Sequence, residues 1–324
     1  MSITAHIGWQ PDDHYKTHFE RKLQDAVHIT YGNEPPEHAN YDILIKGRPT
    51  EDDINASDKL KAVIVPFAGI PDVTSTLMEQ NPHITLHNLH HNAIPTAEMA
   101  LGLLMAVARG IVPAHNRFVK HDWSSRHQPN ASFLLSGKTA LILGYGTIGE
   151  HLGTILRAMG MTVIGTRRRY PDEARNIYPA EVTTNLLPQA DVLIVALPAT
   201  PETTDLLGAR ELGLLPKGAI LINIGRAAVI NQNALYGALR RKHLFGAGLD
   251  VWYNYPKSQE ERKNTPPADL PFHELDNVVM SPHRAGDGGN DEIEFLRFNA
   301  LAQAINAAAN DEPIPHQVDL SLGY

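Results

Sequence analysis

Short runs of β-branched and aliphatic residues recur along this chain, separated by stretches whose apolar positions follow a helical period. From Asp42 onward they read DILIKG (42–47), KAVIVPFAG (61–69) and ITLHN (84–88). A second series reads TALILG (139–144), MTVIGT (161–166), DVLIVALP (191–198), AILINIG (219–225), LFGAGLDV (244–251) and NVVMSPH (277–283). Apolar runs this short read as strands buried on both faces, and their alternation with helical segments predicts parallel sheets covered by helices. The six runs of the second series match the strand number of a dinucleotide-binding sheet. Between the two series, PTAEMALGLLMAVARGIVPAHNRFVK (95–120) is helical by pattern and apolar on more than one face, with breaks at Arg109, Gly110 and Pro113. Such a helix must be buried, in a core or at a domain or subunit interface. A last helix is expected from Asn290 to about Asn310, followed by a polar tail.

Composition narrows the class. A length of 324 residues suggests two α/β domains, and 43% hydrophobic residues argue against disorder. The net charge of -8 leaves no basic footprint for nucleic acid or a membrane surface. The absence of cysteine excludes disulfides, thiolate nucleophiles and Cys-ligated zinc. The opening residues show no basic stretch followed by an apolar one, and no segment has the apolar length of a membrane span. A soluble, cytoplasmic protein with a small-molecule ligand is expected, without nucleic-acid or membrane partners.

The chemistry begins at Gly144-Tyr145-Gly146-Thr147-Ile148-Gly149, which follows the TALIL strand and opens a helical pattern. In that setting the glycines allow a tight turn, close approach of a pyrophosphate, and helix–strand packing, with the phosphates on the helix N-terminus. A unit that binds NAD ends its second strand in an acid, about 20 residues on, that accepts hydrogen bonds from the ribose. Here the stretch is Gly165-Thr166-Arg167-Arg168-Arg169. Guanidinium groups bind a 2′-phosphate where a carboxylate would repel it, so NADP(H) is the expected cofactor; as plain surface charge the three arginines would only be solvated.

Three further segments end later strands: Asn223-Ile224-Gly225-Arg226, Gly248-Leu249-Asp250-Val251 and Ser281-Pro282-His283-Arg284-Ala285-Gly286. Ligands of open α/β sheets bind outside the carboxyl ends of the strands, so Arg226, Asp250 and His283 are expected in one crevice, with Ile224, Gly225 and Ala285 beside the cofactor. An arginine there can clamp a carboxylate and a histidine can exchange a proton with the oxygen where hydride is transferred.

With these motifs, and with AGIPDVTSTLMEQNP, TAEMALGLLMAVAR, LPATPETTDLLG, INIGRAAVINQNAL and DNVVMSPHRAG in order, the chain resembles the D-isomer-specific 2-hydroxyacid dehydrogenase family. The resemblance implies a fold of two doubly wound parallel-sheet domains, Rossmann-like and flavodoxin-like. It implies a substrate domain at 1–95 plus 290–324, an NADP-binding domain at 96–289, and a cleft between them for cofactor and substrate. It also implies a homodimer with the helix near 96–109 at its interface. By the same resemblance Arg226 binds substrate, His283 is the acid/base and Asp250 is a conformational or cofactor-adjacent residue. Leu197, Pro198 and Thr203 line the cofactor groove, and the loop Phe67, Ala68, Gly69, Ile70 offers N–H groups to the substrate carboxylate. The implied reaction is NADPH-dependent reduction of a small 2-oxo acid. Oxidation of a formate- or phosphite-like acid, or nucleotide sensing without turnover, are the alternatives.

One departure stands out. The family places a glutamate five positions after the aspartate, and here 250 + 5 gives Tyr255; aligned from the far side of the apparent insertion, the place falls on Asn264. Either Tyr255 hydrogen-bonds the His283 ring, or Glu260 or Glu261 reaches in from the inserted segment, or those glutamates are solvated loop charges. The loop holding His87, His90 and His91 is expected to contact substrate through His91 or to spend its histidines on loop hydrogen bonds. No metal is expected, since hydride transfer needs none.

Overall fold

The computed structural model describes residues 2–127, 132–286 and 290–322. The chain divides into two units, Met1–Asn92 with Asp287–Tyr324, and Ala93–Gly286.

In the first unit, β1 (Ile3–Ile7), β2 (Val27–Tyr31), β3 (Ile43–Ile45), β4 (Ala62–Val65) and β5 (Thr85–Asn88) form one parallel sheet in the order β2-β1-β3-β4-β5. This is the doubly wound order with a switch point between β1 and β3. Successive side chains of a strand leave opposite faces. Accordingly, Ile43, Ile45, Ala62 and Ile64 share one core with Phe19, Phe298, Leu301 and Ile305, whereas Leu44, Val63 and Val65 share another with Ile54, Leu77 and Met78. The final helix, Asp291–Ala309, closes the first of these cores, and the Asn290 side chain caps it by accepting from the Ile293 N–H.

In the second unit, β6 (Thr139–Leu143), β7 (Thr162–Arg167), β8 (Ile177–Pro179), β9 (Val192–Val195), β10 (Ile220–Asn223), β11 (Gly246–Leu249) and β12 (Val278–Met280) form a parallel sheet. The order is β12-β11-β10-β9-β6-β7-β8, with its reversal between β6 and β9. All six runs predicted in this region are strands. The seventh, β8, is an Ile-Tyr-Pro triplet at the sheet edge, a position that tolerates a proline lacking an N–H.

The apolar segment 95–120 is two helices. Gly110 adopts φ +58° and the chain bends by 64° between Ala93–Ala108 and Ile111–Phe118. Among the described residues no single helix is long and apolar enough to cross a membrane. Ala93–Ala108 is a core helix that buries Ala97, Ala100, Leu103, Leu104 and Val107 against the sheet. The glycine-rich β11 explains how it comes so close: a Cβ on Gly248 would stand 2.8 Å from the Leu103 Cβ, and one on Gly246 would stand 2.9 Å from Val107 Cγ1. Gly248→Ala must therefore push the helix off the sheet. We expect a loss of about 1–3 kcal/mol, typical of overpacking, read as a lowered thermal midpoint; an unchanged midpoint would contradict this packing.

Candidate active site

The turn after β6 lies where the strand order reverses. Gly144 has φ +89°, and a Cβ there would lie 2.7 Å from the Ala196 carbonyl oxygen, so no other residue fits. A Cβ on Gly149 would lie 2.9 Å from the Gly144 oxygen, which is how the helix Thr147–Ala158 seats on the turn. Gly146, at the N-cap, has nothing within 4 Å of its Cβ position. Open space over exposed backbone at a helix N-terminus fits a dinucleotide pyrophosphate. Tyr145 supports the turn from below. It is fully buried, its N–H donates to the Thr166 carbonyl at 2.8 Å, its hydroxyl accepts from Arg157 Nη1 at 3.0 Å, and its ring fills the space a Gly165 Cβ would need. Thr147 is exposed and Ile148 half-buried beside it.

Leu197 and Pro198 follow β9, directly across the reversal. Thr203 braces them by donating to the Pro198 carbonyl at 2.7 Å and accepting from the Thr200 N–H at 2.8 Å. Gly225 packs on the same backbone, since its Cβ would lie 2.5 Å from the Leu197 oxygen, and Ile224 is buried beneath it.

The three arginines after β7 have different surroundings. Arg168 is paired with Glu202, and Arg169 is exposed. Arg167 Nη1 is 3.8 Å from Glu150 Oε1, while its Nε is shielded from solvent without a hydrogen-bond partner among the described residues. A shielded, unsatisfied donor is costly, and an arriving phosphate oxygen would satisfy it. Together with the open glycine turn, this fits a dinucleotide bearing a 2′-phosphate. Thr166 is buried, its carbonyl spent on the N–H groups of Gly144 and Tyr145.

Strands β10, β11 and β12 are neighbours, and their carboxyl ends carry the titratable groups. Asn223 shapes the first exit: its side chain accepts from the Gly225 N–H at 3.1 Å and donates to the Arg226 carbonyl at 3.2 Å. Arg226, half-buried, extends from this turn, with Nη1 on the Gly225 carbonyl at 2.8 Å. Asp250 is completely buried, and its carboxylate accepts from the Ser281 hydroxyl, the Arg284 N–H (2.9 Å) and the Ala285 N–H (2.8 Å). Those bonds straddle His283, which adopts φ 57° in the left-handed region. Trp252 ties the same loop down by donating from Nε1 to the Ser281 carbonyl at 2.8 Å.

His283 is solvent-exposed as a residue, yet the protein around its ring lowers its pKa below the ordinary histidine value. Desolvation acts first and the Arg226 charge second, with Asp250 opposing. The Tyr255 ring lies 5.5 Å from the His283 ring, centroid to centroid. Its hydroxyl is not on that ring; it accepts from the Trp252 N–H at 3.1 Å. Burial raises the Tyr255 pKa, against the opposing effects of the Trp252 N–H and Arg226, so the phenol keeps its proton. The glutamates of the inserted segment do not take the empty place. Glu260 and Glu261 are exposed at the short turn Glu261–Lys263, and Glu261 accepts from the Lys257 N–H at 2.7 Å; Asn264, also exposed, follows the same turn. A main-chain donor within reach costs a flexible loop less than carrying a carboxylate to His283.

In the first unit, the half-buried loop Phe67–Ile70 follows β4. The Phe67 carbonyl accepts from the Leu89 N–H at 3.4 Å and the Ala68 carbonyl from Asn88 Nδ2 at 2.6 Å. His87 is a pin: its Nδ1 meets the Pro315 carbonyl at 3.0 Å, and because a carbonyl only accepts, Nδ1 carries the proton. The His90 ring stacks on His316 at 4.2 Å, burial pushing its pKa down to about 4. Both ring nitrogens of His91 are shielded from solvent. Among the described residues no group of three or more His, Asp or Glu side chains is arranged to hold a metal. Sequence reasoning passed over the braces Asn223, Ser281, Thr200 and Asn88. The only signal was a small polar residue at the end of an apolar strand or within five positions of it.

The family model for the D-isomer specific 2-hydroxyacid dehydrogenase NAD binding domain matches residues 101–285. D-3-phosphoglycerate dehydrogenase of Methanocaldococcus jannaschii is 30% identical over 84% of this chain and 50% of its own length. Glyoxylate reductase of Thermococcus litoralis is 37% identical over 69% of this chain and 66% of its own. The chain thus spans about half the length of the phosphoglycerate dehydrogenases it matches. Among solved structures, a D-isomer specific 2-hydroxyacid dehydrogenase from Xanthobacter autotrophicus Py2, in complex with NADPH and MES, superposes with a TM-score of 0.78 at 22% identity, covering 100% of both chains. That likeness is one of fold. The matched residues hold both the glycine turn and the Arg226, Asp250 and His283 segments, and the chain belongs to the D-isomer-specific 2-hydroxyacid dehydrogenase family.

Proposed function

We propose that this protein is an NADP-dependent oxidoreductase that reduces a small 2-oxo acid to the 2-hydroxy acid, reversibly, with the unit Ala93–Gly286 holding the cofactor and the other unit serving the substrate. The observation that carries this reading is the grouping of Arg226, His283 and Tyr255 around the loop held by Asp250, on the sheet that carries the glycine turn. Arg226 binds the substrate carboxylate and polarises the adjacent carbonyl, and His283 gives its proton to the oxygen that becomes a hydroxyl. Bound NADPH would supply the hydride. Tyr255 is the neutral neighbour of His283 in place of an acid. Gly144 to Gly149 would cradle the pyrophosphate, Thr166 and Arg167 to Arg169 the ribose phosphate, and Leu197, Pro198, Thr203, Ile224, Gly225 and Ala285 the rest of the cofactor. The loop Phe67–Ile70 would hold the substrate carboxylate and His91 would border the substrate.

A homodimer and a cytoplasmic location belong to the same proposal. The dimer is supported by exposed Ile111 (52%), Phe118 (52%), Val119 (59%) and Trp123 (58%), apolar residues that a free surface rarely groups. They lie beyond the helix near 96–109, whose side chains are largely spent on the core. A second reading, oxidation of a formate- or phosphite-like acid, is favoured by the lowered pKa of His283: hydride leaves formate as carbon dioxide with no proton transfer, so no imidazolium is needed, and a neutral imidazole can take the proton of the water that attacks a phosphite. Turnover of reduced or oxidised cofactor against 2-oxo acids and against formate and phosphite separates the two.

Arg226→Ala and His283→Ala are each expected to lower kcat/KM for the 2-oxo acid by about 10²-fold or more, the scale of a lost acid/base or charged contact. Near-full turnover in either variant removes that residue from the chemistry. Arg167→Asp should lower the preference for NADPH over NADH by at least about tenfold, equal to one charge-assisted hydrogen bond; an unchanged ratio would place the 2′-phosphate elsewhere.

Reduction needs the imidazolium form of His283. Because its pKa is depressed, reductive kcat/KM is highest in acid and falls as pH rises through a value below the ordinary 6.5. Tyr255→Glu restores a negative neighbour and should move that fall to higher pH, measured as the pH profile of both enzymes. Superimposable profiles would mean that position 255 does not act on His283.

A further inference from the structure

We propose that Asn88 and the C-terminal tail are positioning elements of the substrate site, aiming the N–H groups of Ala68 and Gly69 at the substrate carboxylate. This rests on the reading above that the Phe67–Ile70 loop receives that carboxylate. A trans peptide is planar, with its C=O and N–H pointing in opposite directions. The Ala68 carbonyl is held by Asn88 Nδ2 at 2.6 Å, so the Gly69 N–H of that peptide points away from β5. The Phe67 carbonyl is held by the Leu89 N–H at 3.4 Å, which turns the Ala68 N–H the same way. Among the described residues the N–H groups of Ala68, Gly69 and Ile70 make no hydrogen bond, so adjacent donors stand ready for an anion.

Asn88 is itself fixed from behind. It is buried at the end of β5, the edge strand, and its own N–H donates to the His316 carbonyl at 3.2 Å. The tail lies antiparallel on that edge: His87 bridges to Gln317, the Val318 N–H donates to the Leu86 carbonyl at 2.8 Å, and His87 Nδ1 donates to the Pro315 carbonyl at 3.0 Å. The His90 ring against His316, which itself adopts φ 57°, completes the clamp. Tail, β5 and carboxylate loop therefore form one hydrogen-bonded series inside the first unit. An amide is required at position 88 because the acceptor is a carbonyl; an ionised carboxylate of the same shape has no donor for it.

The test uses the full-length protein, Asn88→Ala, the isosteric Asn88→Asp, and a chain ending at Ile314. Each variant should raise KM for the 2-oxo acid by about tenfold or more. The Kd for NADPH, a ligand assigned to the other unit, should change less than twofold. A change in kcat or stability without the split between substrate and cofactor would mean that Asn88 is only structural, and an unchanged KM in Asn88→Asp would overturn the proposal. The crystal structure of Asn88→Ala reads the same point without a substrate. A Ala68–Gly69 peptide that keeps its orientation overturns the proposal whatever the enzyme turns over, and a rotated peptide supports it. If the wild type turns over no 2-oxo acid, the functional reading fails while the peptide geometry still decides this one.

Discussion

A fully buried carboxylate, Asp250, has no cation in hydrogen-bonding contact among the described residues, and the geometry of the candidate site follows from how it is satisfied. Taking an ionised carboxylate out of water costs several kcal/mol unless donors replace the lost hydration. Here the donors are the Ser281 hydroxyl and two consecutive backbone N–H groups, those of Arg284 and Ala285. Their convergence on one carboxylate bends the loop so that His283 takes a left-handed conformation, which costs a non-glycine residue about 1–3 kcal/mol. Charge-assisted hydrogen bonds to Asp250 offset that strain. The result is a histidine whose backbone is set by the Asp250 carboxylate, at the end of a strand separated from the one bearing Arg226 only by the strand that carries Asp250.

The electrostatics of this arrangement differ from those of a histidine paired with an acid. His283 has Arg226 and a neutral phenol beside it, while Asp250 spends its oxygens on the main chain. Both desolvation and the arginine disfavour the imidazolium, and an anion bound beside them would bring the proton back. On the proposed function, a substrate carboxylate would then be part of the acid/base machinery as well as the group recognised.

The two units solve the same problem with different materials. Each places backbone donors at the carboxyl end of a parallel sheet. The second unit does so with a glycine turn and a helix N-terminus; in the first, the Asn88 amide and the Leu89 N–H, on a strand backed by the returning tail, hold the carbonyls of a short loop and leave its N–H groups outward. In both, buried small polar residues at strand ends decide which way a peptide faces.

The local pattern alone determined the parallel α/β class, nine of the strands, the final helix and the glycine turn, because continuous apolar runs and glycine spacing are properties of neighbouring residues. It missed β1 and β2, where Thr4, His6, His28 and Thr30 interrupt the apolar run, and β8, whose proline reads as a breaker. Arg226, Asp250 and His283 were legible as candidates because each ends a strand of one sheet. Only the tertiary structure decided how they are held: that Tyr145 is a buried support, that Arg167 faces Glu150 while Arg168 pairs with Glu202, that the Tyr255 hydroxyl goes to Trp252, and that His87 pins a tail 228 positions away. A hydrogen bond depends on where a donor and an acceptor meet in space, and no local periodicity carries that information across such a separation.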